Sequence, residues 1–189
     1  VIGPSVNMYN AASLNILADK GLKRWCFPVE LSRDTLKGIM LDKNPKIEVE
    51  VFAFGKLPLA FSARCFTARA YNLDKDDCQY KCIKHQEGLM LSTKEDQEFL
   101  VMNGIQTLSS DTFNLINNID EMKDMGVDMV RVSPQDEYTD EIIAIFKDRI
   151  DNKLGATEAE SRLHKLTNGA QCDGYWFEKE GMSRIELSQ

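Results

Sequence analysis

Three of the five cysteines in the chain, Cys65, Cys78 and Cys82, fall within one short window of the sequence. Cys78 and Cys82 form a C-x3-C pair, which brings two thiols within reach of one centre, and Cys65 can join them if the intervening loop folds back. Cationic neighbours lower the pKa of a thiol and favour the thiolate, which is both the nucleophile and the metal ligand. The cationic neighbours here are Arg64, Arg69, Lys81, Lys84 and His85. The window therefore predicts sulfur chemistry.

Four kinds of thiol site are compatible with this spacing. A structural zinc site usually uses CxxC knuckles and a fourth Cys or His, for which His85 is available. A redox disulfide favours CxxC near the start of a helix, which C-x3-C matches poorly. Exposed thiols without any ligand are the third alternative. An iron–sulfur cluster fits best, because clusters take thiolates from irregularly spaced loops and from distant segments.

A cluster needs a fourth ligand, and the sequence leaves three choices for it. Cys26 lies in RWCFPVE, which has the pattern of a buried strand, so it is more typical of a small core residue. Cys172 lies on a predicted loop far downstream. The third choice is a ligand outside this chain. A ligand outside this chain agrees with two features of the sequence: the first residue is Val rather than Met, and the opening segment already resembles a core strand. We therefore expect this chain to be a piece of a longer protein.

The amino-acid composition restricts the classes of protein to which this chain can belong. The chain has 189 residues, with 43% hydrophobic and 28% charged side chains, which is typical of one globular domain. Its net charge of −7 argues against general nucleic-acid binding. No apolar run approaches the roughly 20 residues of a membrane-spanning helix. An odd number of clustered cysteines predicts a cytoplasmic, thiol-bearing protein rather than a disulfide-linked one.

Strand patterns alternate with helix patterns along the chain. The predicted strands lie in VIGPSVNMYN, LKRWCFPVE, IEVEVFAF and VDMVRVSPQ, and the predicted helices in ASLNILADKG, SRDTLKGIMLDK, SSDTFNLINNIDEMKDMG and TDEIIAIFKDRIDN. Ser32 is a predicted helix N-cap. The last of these helices is predicted to place Ile142, Ile143, Phe146 and Ile150 on one side. LMLSTKEDQEFLVMNG predicts a hairpin.

This order predicts an α/β fold with parallel strands. An eight-stranded barrel takes about 250 residues, so four strand–helix units form about half of one.

Through five motifs the chain resembles the collagenase-like peptidase family. Within that family it resembles most the branch of anaerobic ubiquinone-biosynthesis proteins. The five motifs are ELSRDTL, ARCFTAR, DDCQYKCIKHQEG, FLVMNGIQTLS and CDGYWF. The resemblance runs from Val1 to about Met182 and implies a TIM-barrel-like fold. Residues 1–189 would then be the C-terminal part of a single α/β barrel domain whose N-terminal half is absent.

The resemblance also implies a cofactor and partners. A 4Fe–4S cluster would be held in the full-length protein by Cys65, Cys78, Cys82 and a fourth cysteine outside this chain. A homologous UbiU-like subunit would form a heterodimer with it. The pair would support oxygen-independent hydroxylation of a ubiquinone precursor. Related proteins hydroxylate RNA, with prephenate implicated as the hydroxyl source, so prephenate is another expected small molecule and RNA hydroxylation is an alternative function.

Polar residues after the predicted strands are the candidate substrate-binding residues, because barrel sites lie at the carboxyl ends of strands. They are Asn7, Asn10, Glu30, Arg33 and Arg64, and we expect Asn103 and Gln106 of the NGIQT motif to reach the same mouth of the barrel. No catalytic residue is predicted. A peptidase needs an activated nucleophile or a metal-bound water. The chain has only His85 and His164, neither in an HExxH pattern, so we do not expect peptidase activity.

Overall fold

A computed structural model describes residues 1–167 and 169–185, which form a mixed α/β fold around one sheet of seven strands. The strands are β1 (Arg24–Cys26), β2 (Glu48–Phe61), β3 (Leu89–Ser92), β4 (Glu98–Asn103), β5 (Gln106–Asn114), β6 (Met129–Val132) and β7 (Gln171–Cys172). The helices are α1 (Ala11–Asp19), α2 (Arg33–Asp42), α3 (Phe66–Ala70), α4 (Ile119–Asp124), α5 (Thr139–Ile150) and α6 (Ala156–Leu166).

The long strand β2 organises the sheet. Its first half is parallel to β1 and to β6, and Glu50 pairs with Cys26 of β1 and with Met129 of β6, so these two strands flank β2. Ile2 continues the parallel part through a single bridge to Trp25. The parallel part of the sheet is therefore built from segments that are far apart in the chain.

The second half of β2 belongs to an antiparallel arm. From Phe54 to Phe61 it pairs with β5, which pairs in turn with β4, and β4 pairs with β3. The register shifts on both sides of Pro58. Since proline has no N–H to donate to a neighbouring strand, it is tolerated in a sheet at such an irregularity. The short strand β7 lies parallel to the end of β5.

The two faces of β2 differ. Val49, Val51 and Ala53 are buried in the hydrophobic core, together with Trp25 of β1. The core residues that the helices contribute are Leu14, Leu36, Ile39, Ile119, Met122, Ile142, Ile145, Phe146, Ala159 and Leu163. Burying one large aliphatic or aromatic side chain contributes about 1.5–3 kcal/mol. The alternate residues Glu50 and Phe52 line a cleft, and Phe52 also packs against the core residue Phe113.

Capping and one ion pair fix the helices around the core. The Thr35 N–H donates to Ser32 Oγ at 3.2 Å, so the predicted N-cap of α2 is confirmed. Arg149 of α5 is buried and donates to both carboxylate oxygens of Asp120 in α4. These hydrogen bonds hold the pKa of Asp120 below its ordinary value. A buried arginine needs such a partner, because an uncompensated buried charge is strongly destabilising.

The predicted α/β class is confirmed, with differences in detail. Within the described residues the seven strands do not close into a barrel. The helix predicted around Ile142 and Phe146 is confirmed as α5, and these two residues are buried, whereas Ile143 and Ile150 are 50% and 38% exposed. The hairpin is confirmed as β3 and β4. Among the described helices, none has the length and apolar character needed to cross a membrane.

The predicted helix over SSDTFNLINNIDEMKDMG is wrong in its first part. Residues through Asn114 belong to β5, and α4 begins only at Ile119. Ser109, Thr112 and Phe113 are buried in the sheet. Pairing with β2 and β4 satisfies this backbone and overrides the helical spacing of the apolar residues.

Gly55 is a position where an added side chain should be costly. Its φ is +125°, and a Cβ there would lie 2.5 Å from Ser133 Cβ. We expect Gly55→Ala to lower the free energy of unfolding by more than about 1 kcal/mol, because both the backbone and the neighbouring loop would have to move.

Gly38→Ala is the matched control, since Gly38 lies inside α2 and a Cβ there meets no atom within 4 Å. It should raise the free energy of unfolding by about 0.5–1 kcal/mol. Denaturant unfolding of both variants checks this. Equal effects of the two substitutions would show that the close approach at Gly55 does not matter.

Candidate functional site

A cleft of about 690 Å³ opens beside the carboxyl ends of the parallel strands. Its walls come from the segment after Ile2, the end of β1, the middle of β2, the loop after β6, and parts of β4 and β5. Ligand sites in open α/β sheets lie at this end of the strands. The volume is also within the range of about 300–1,000 Å³ that is usual for small-molecule sites. The cleft is therefore the candidate substrate site.

A charged cluster forms one wall of the cleft. Glu50 is buried, and Arg131 Nε donates to its Oε1 at 2.5 Å. Arg24 Nη1 lies 3.7 Å from Glu50 Oε2, so two guanidinium groups compensate one buried carboxylate. The parallel register produces this contact, because β1 and β6 place their side chains on either side of Glu50. Glu50 thereby fixes the position of Arg131 in the cleft.

Cys26 belongs to the same cluster. Arg131 Nη2 donates to Cys26 Sγ at 3.4 Å, and only 3% of Cys26 is exposed. Burial raises the pKa of this thiol, and the negative charge of Glu50 raises it further, although Arg131 acts in the opposite direction. Cys26 is therefore held as the neutral thiol. The predicted burial is confirmed, but the residue also lines the cleft.

The loop after β6 forms another part of the wall. Gln135 Nε2 donates to the Ser133 carbonyl at 2.9 Å, and the Gln135 N–H donates to Thr139 Oγ1 at 2.9 Å. The absence of a side chain at Gly55 lets Ser133 lie directly against β2. Lys56, the next residue of β2, is half-buried and lines the cleft.

Four of the predicted substrate-binding residues line cavities. Asn103 and Gln106 line the main cleft. Asn7 and Glu30 line a smaller cavity of about 380 Å³, which shares Pro4, Ser5, Val29, Pro58 and Phe61 with it. The Tyr9 hydroxyl donates to Glu30 Oε1 at 2.5 Å, and this bond raises the pKa of Tyr9. These four residues therefore line two cavities that share part of their walls.

The other three predicted residues lie outside both cavities. Asn10 is the N-cap of α1, where its Oδ1 accepts from the Ser13 N–H at 2.9 Å. Arg33 lies 3.5 Å from Glu121 and stacks over the Phe177 ring at 4.7 Å. Arg64 is exposed beyond the far end of β2. Their roles in substrate binding stay predictions.

The three clustered cysteines lie in the segment that follows the far end of β2, where the Phe66 N–H donates to the Gly104 carbonyl in the turn between β4 and β5. Cys65 is the N-cap of α3, and its Sγ accepts from the Ala68 N–H at 3.4 Å. Cys78 follows a short turn at Lys75–Asp77, and Cys82 is exposed in the next turn, Lys81–Lys84. All five cysteines are free thiols.

The thiols are the right kind of donor for an iron–sulfur cluster, but the structure does not assemble them. In the part of the chain that the structure describes, no three His, Cys, Asp or Glu side chains come together as a metal-binding group. The prediction that Cys65, Cys78 and Cys82 are ligands is therefore not tested by this geometry.

The cysteine window carries cations and aromatic rings. Tyr71 and His85 are hydrogen-bonded at 2.7 Å, and Lys81 Nζ lies 5.8 Å from the Tyr71 ring centroid. Tyr80 is 72% exposed. Arg64, Arg69 and Lys84 are also exposed there, and so are the carboxylates of Asp74, Asp76 and Asp77. This surface is called the cationic lobe below.

Sequence reasoning missed the wall of the cleft, namely Glu50, Lys56, Arg131, Ser133 and Gln135. Glu48 and Glu50 alternate with Ile47, Val49 and Val51, a pattern that predicts a solvent-facing side. Buried parallel strands are normally apolar on both faces. Charges within the predicted parallel strands, including Arg131 between Val130 and Val132, were the signal that could have found this wall.

Comparison with known proteins places this fold in a family. The model of peptidase family U32 matches residues 2–186, and the chain belongs to this family. It is 22% identical over 149 residues to the tRNA hydroxylation protein P2 of Bacillus subtilis (strain 168), a match that covers 75% of this chain and 48% of that protein. The chain thus spans about half the length of the curated relative that it matches. No solved structure matches it.

The five thiols should differ widely in their reaction with iodoacetamide. Cys82 is exposed, whereas Cys172 is fully buried, and burial raises the pKa of Cys172 to about 12. We expect Cys82 to be alkylated first and Cys26 and Cys172 last at pH 8, because the thiolate is the reactive form. Peptide mass spectrometry of metal-free protein gives the order. Unfolded protein is the control, and Cys172 reacting as fast as Cys82 in the folded chain would contradict the structure.

Proposed function

We propose that this chain is part of a UbiV-like protein that supports oxygen-independent hydroxylation of a ubiquinone precursor, together with a homologous UbiU-like subunit. The observation that carries the proposal is the cysteine window, with its R-C-F-T-A-R and C-x3-C motifs, in a member of peptidase family U32. The name of the Bacillus relative, a tRNA hydroxylation protein, supports hydroxylation as the type of reaction.

The open sheet is compatible with the chain being half of a TIM-barrel-like domain. β6 and the Ile2 segment are at the two sides of its parallel part, and further strands could pair there to continue the sheet. The remaining strands would come from residues outside this chain. In such a barrel the face that carries Glu50, Phe52 and Arg131 would look inward, and the cleft would become the mouth of the barrel.

A 4Fe–4S cluster is the proposed cofactor of the full-length protein. Cys65, Cys78 and Cys82 would hold it with a fourth ligand from outside this chain, and it would supply electron transfer or hold the local structure. The exposed cations around these cysteines suit a net negative cluster. The residues of the cleft would bind and orient the substrate, with the amides of Asn103 and Gln106 offering both donors and acceptors.

A peptidase reaction has little support. Neither histidine lines the cleft: His85 is bonded to Tyr71, and His164 is exposed on α6. Cys26 is the one thiol at the cleft among the described residues, and its raised pKa makes it a poor nucleophile.

Iron and sulfide analysis of the full-length protein, purified without oxygen, tests the cluster. We expect about four irons and four sulfides per chain, lost in Cys78→Ala. Cys172→Ala is the matched control, because Cys172 is buried beside β5, away from the window, and should keep the cluster. Cells that carry Cys78→Ala should also lose ubiquinone synthesis without oxygen. An iron-free wild-type protein, or full quinone synthesis by Cys78→Ala, would contradict the proposal.

RNA hydroxylation is the second candidate, and the cationic lobe is the observation that favours it. Exposed Tyr80 and the cations Arg64, Arg69 and Lys84 are the side-chain types that bind unpaired RNA by stacking and by phosphate contacts. The net charge of −7 on the whole chain weakens this candidate.

Salt-dependent binding to unmodified tRNA separates the two functions. If RNA is the substrate, Lys81→Ala with Lys84→Ala should weaken binding and lower the slope of log affinity against log salt by about 2, since each phosphate contact contributes roughly 1. Lys94→Ala removes an exposed charge in the turn between β3 and β4 and is the control. No saturable binding by the wild-type protein would remove this candidate.

A further inference from the structure

A hydrogen-bonded pair of side chains, Tyr71 and His85, joins the two segments that carry Cys65 and Cys82. Tyr71 Oη lies 2.7 Å from His85 Nε2, and the centroids of the two rings are 5.7 Å apart. Lys81 Nζ lies 5.8 Å from the centroid of the Tyr71 ring. Since 14 positions separate the two residues along the chain, their contact closes the loop that lies between them.

Each member of the Tyr71–His85 pair ends a short element that holds a cysteine. Cys65 is the N-cap of α3, and Tyr71 is the C-cap of the same helix. Cys82 lies in the turn Lys81–Lys84, and His85 is the C-cap of that turn, where its N–H donates to the Cys82 carbonyl at 2.9 Å. The side-chain bond therefore connects the helix that follows Cys65 directly to the turn that contains Cys82.

The helix α3 is itself fixed to the turn between β4 and β5. The Phe66 N–H donates to the Gly104 carbonyl at 2.7 Å, and the Gly104 N–H donates to the buried Thr67 Oγ1 at 3.3 Å. Gly104 lies between Asn103 and Gln106, which both line the cleft. One end of the cysteine window is therefore attached beside two residues of the cleft.

The segment after His85 also leads to the cleft. Gln86 and Glu87 are exposed and line it. Gly88 then packs closely against β4, because its φ is +90° and a Cβ there would lie 2.5 Å from Val101 Cγ1. The Gly88 N–H donates to the His85 carbonyl at 2.9 Å. This part of the cleft wall is thus held by Gly88 at one end and by the side chain of His85 at the other.

We propose that Tyr71 and His85 are positioning residues that hold the Cys82 turn against α3 and, through Gln86 and Glu87, make the cysteine window and this wall of the cleft one ordered unit. Exposed segments with few buried contacts open locally at low cost, so a single side-chain hydrogen bond has a large effect there. The proposal rests on the proposed function in taking the cysteines as metal ligands and the cleft as the substrate chamber.

Positioning of this kind matters for a metal centre whose ligands come from separate segments. Ordering those segments costs conformational entropy, and a contact that already joins them lowers the entropy that is lost when the metal binds. Partners outside the ligand shell also control how far water reaches a cluster, and water access affects its reduction potential. The Tyr71–His85 pair should therefore slow metal loss and influence the potential without touching the metal.

Hydrogen exchange of the metal-free full-length protein tests the contact itself. Tyr71→Phe removes only the hydroxyl and keeps the ring, so we expect the amides of residues 82–88 to exchange about three- to tenfold faster. Tyr80→Phe is the matched control, because Tyr80 is 72% exposed in the same window, and it should change nothing. Exchange over residues 82–88 that is equal in Tyr71→Phe and in the wild-type protein would overturn the proposal.

A double-variant cycle shows whether His85 is the partner. In a His85→Ala background, Tyr71→Phe should produce no further increase in exchange over residues 82–88, because the bond is already lost. Fully additive effects of the two substitutions would overturn the assignment of the pair. The amides of β6 serve as the internal reference and should be unchanged in all variants.

The metal-loaded full-length protein, purified without oxygen, tests the positioning role. Tyr71→Phe should lose iron to a chelator about three- to tenfold faster than wild type and than Tyr80→Phe, with the same midpoint of denaturant unfolding. Its cluster should also have a higher reduction potential, because water stabilises the more negative reduced state. Unchanged iron release and potential, despite faster exchange, would overturn the positioning role.

The exchange measurements contain no metal, so they separate this proposal from the proposed function. An iron-free wild-type protein would contradict the proposed function, and exchange over residues 82–88 would still decide whether the Tyr71–His85 pair orders the wall of the cleft. A wild-type protein with its full iron content and no effect of Tyr71→Phe would overturn this inference alone.

Discussion

The change of partners along β2 is the constraint on which the rest of the structure depends. Up to Phe54 this strand has parallel neighbours, and from Phe54 onward it pairs with β5 in an antiparallel arm. The positive φ of Gly55 and its contact with Ser133 mark the place where the pattern changes. A single strand thus joins the cleft to the arm that bears the cysteine window.

The buried Glu50 shows how polar chemistry is built into a sheet. A carboxylate in this position is tolerated because Arg24 and Arg131 reach it from the two flanking strands. Such a pair adds little to stability compared with apolar residues of the same size, since both charges must be desolvated. Its retention at the cleft is better explained by the position it gives to Arg131 than by the stability of the fold.

Much of the fold could be predicted from the sequence, but much of the candidate site could not. Local signals such as the Ser32 cap and the strand over Ile47, Val49 and Val51 depend on neighbouring residues and were interpreted correctly. The segment from Ser109 to Asn114 was not, because its pairing with β2 is a long-range contact that overrides local spacing. The pairing of Glu50 with Arg131 spans 81 positions. Only the three-dimensional register brings them together, whereas Asn103 and Gln106 were predicted from a motif.

The separation of contacts along the chain also bears on the order of folding. β3, β4 and β5 follow one another closely and pair as a meander, and Cys65 is joined to this arm, since the Phe66 N–H donates to the Gly104 carbonyl at 2.7 Å. The cleft instead requires β6 to reach β2, a contact in which the Val49 N–H donates to Asp128 across 79 positions. Loop-closure entropy makes distant pairings slow. The arm can therefore form early, with the region around Cys65 already in place, while the cleft has to wait for the chain beyond α4.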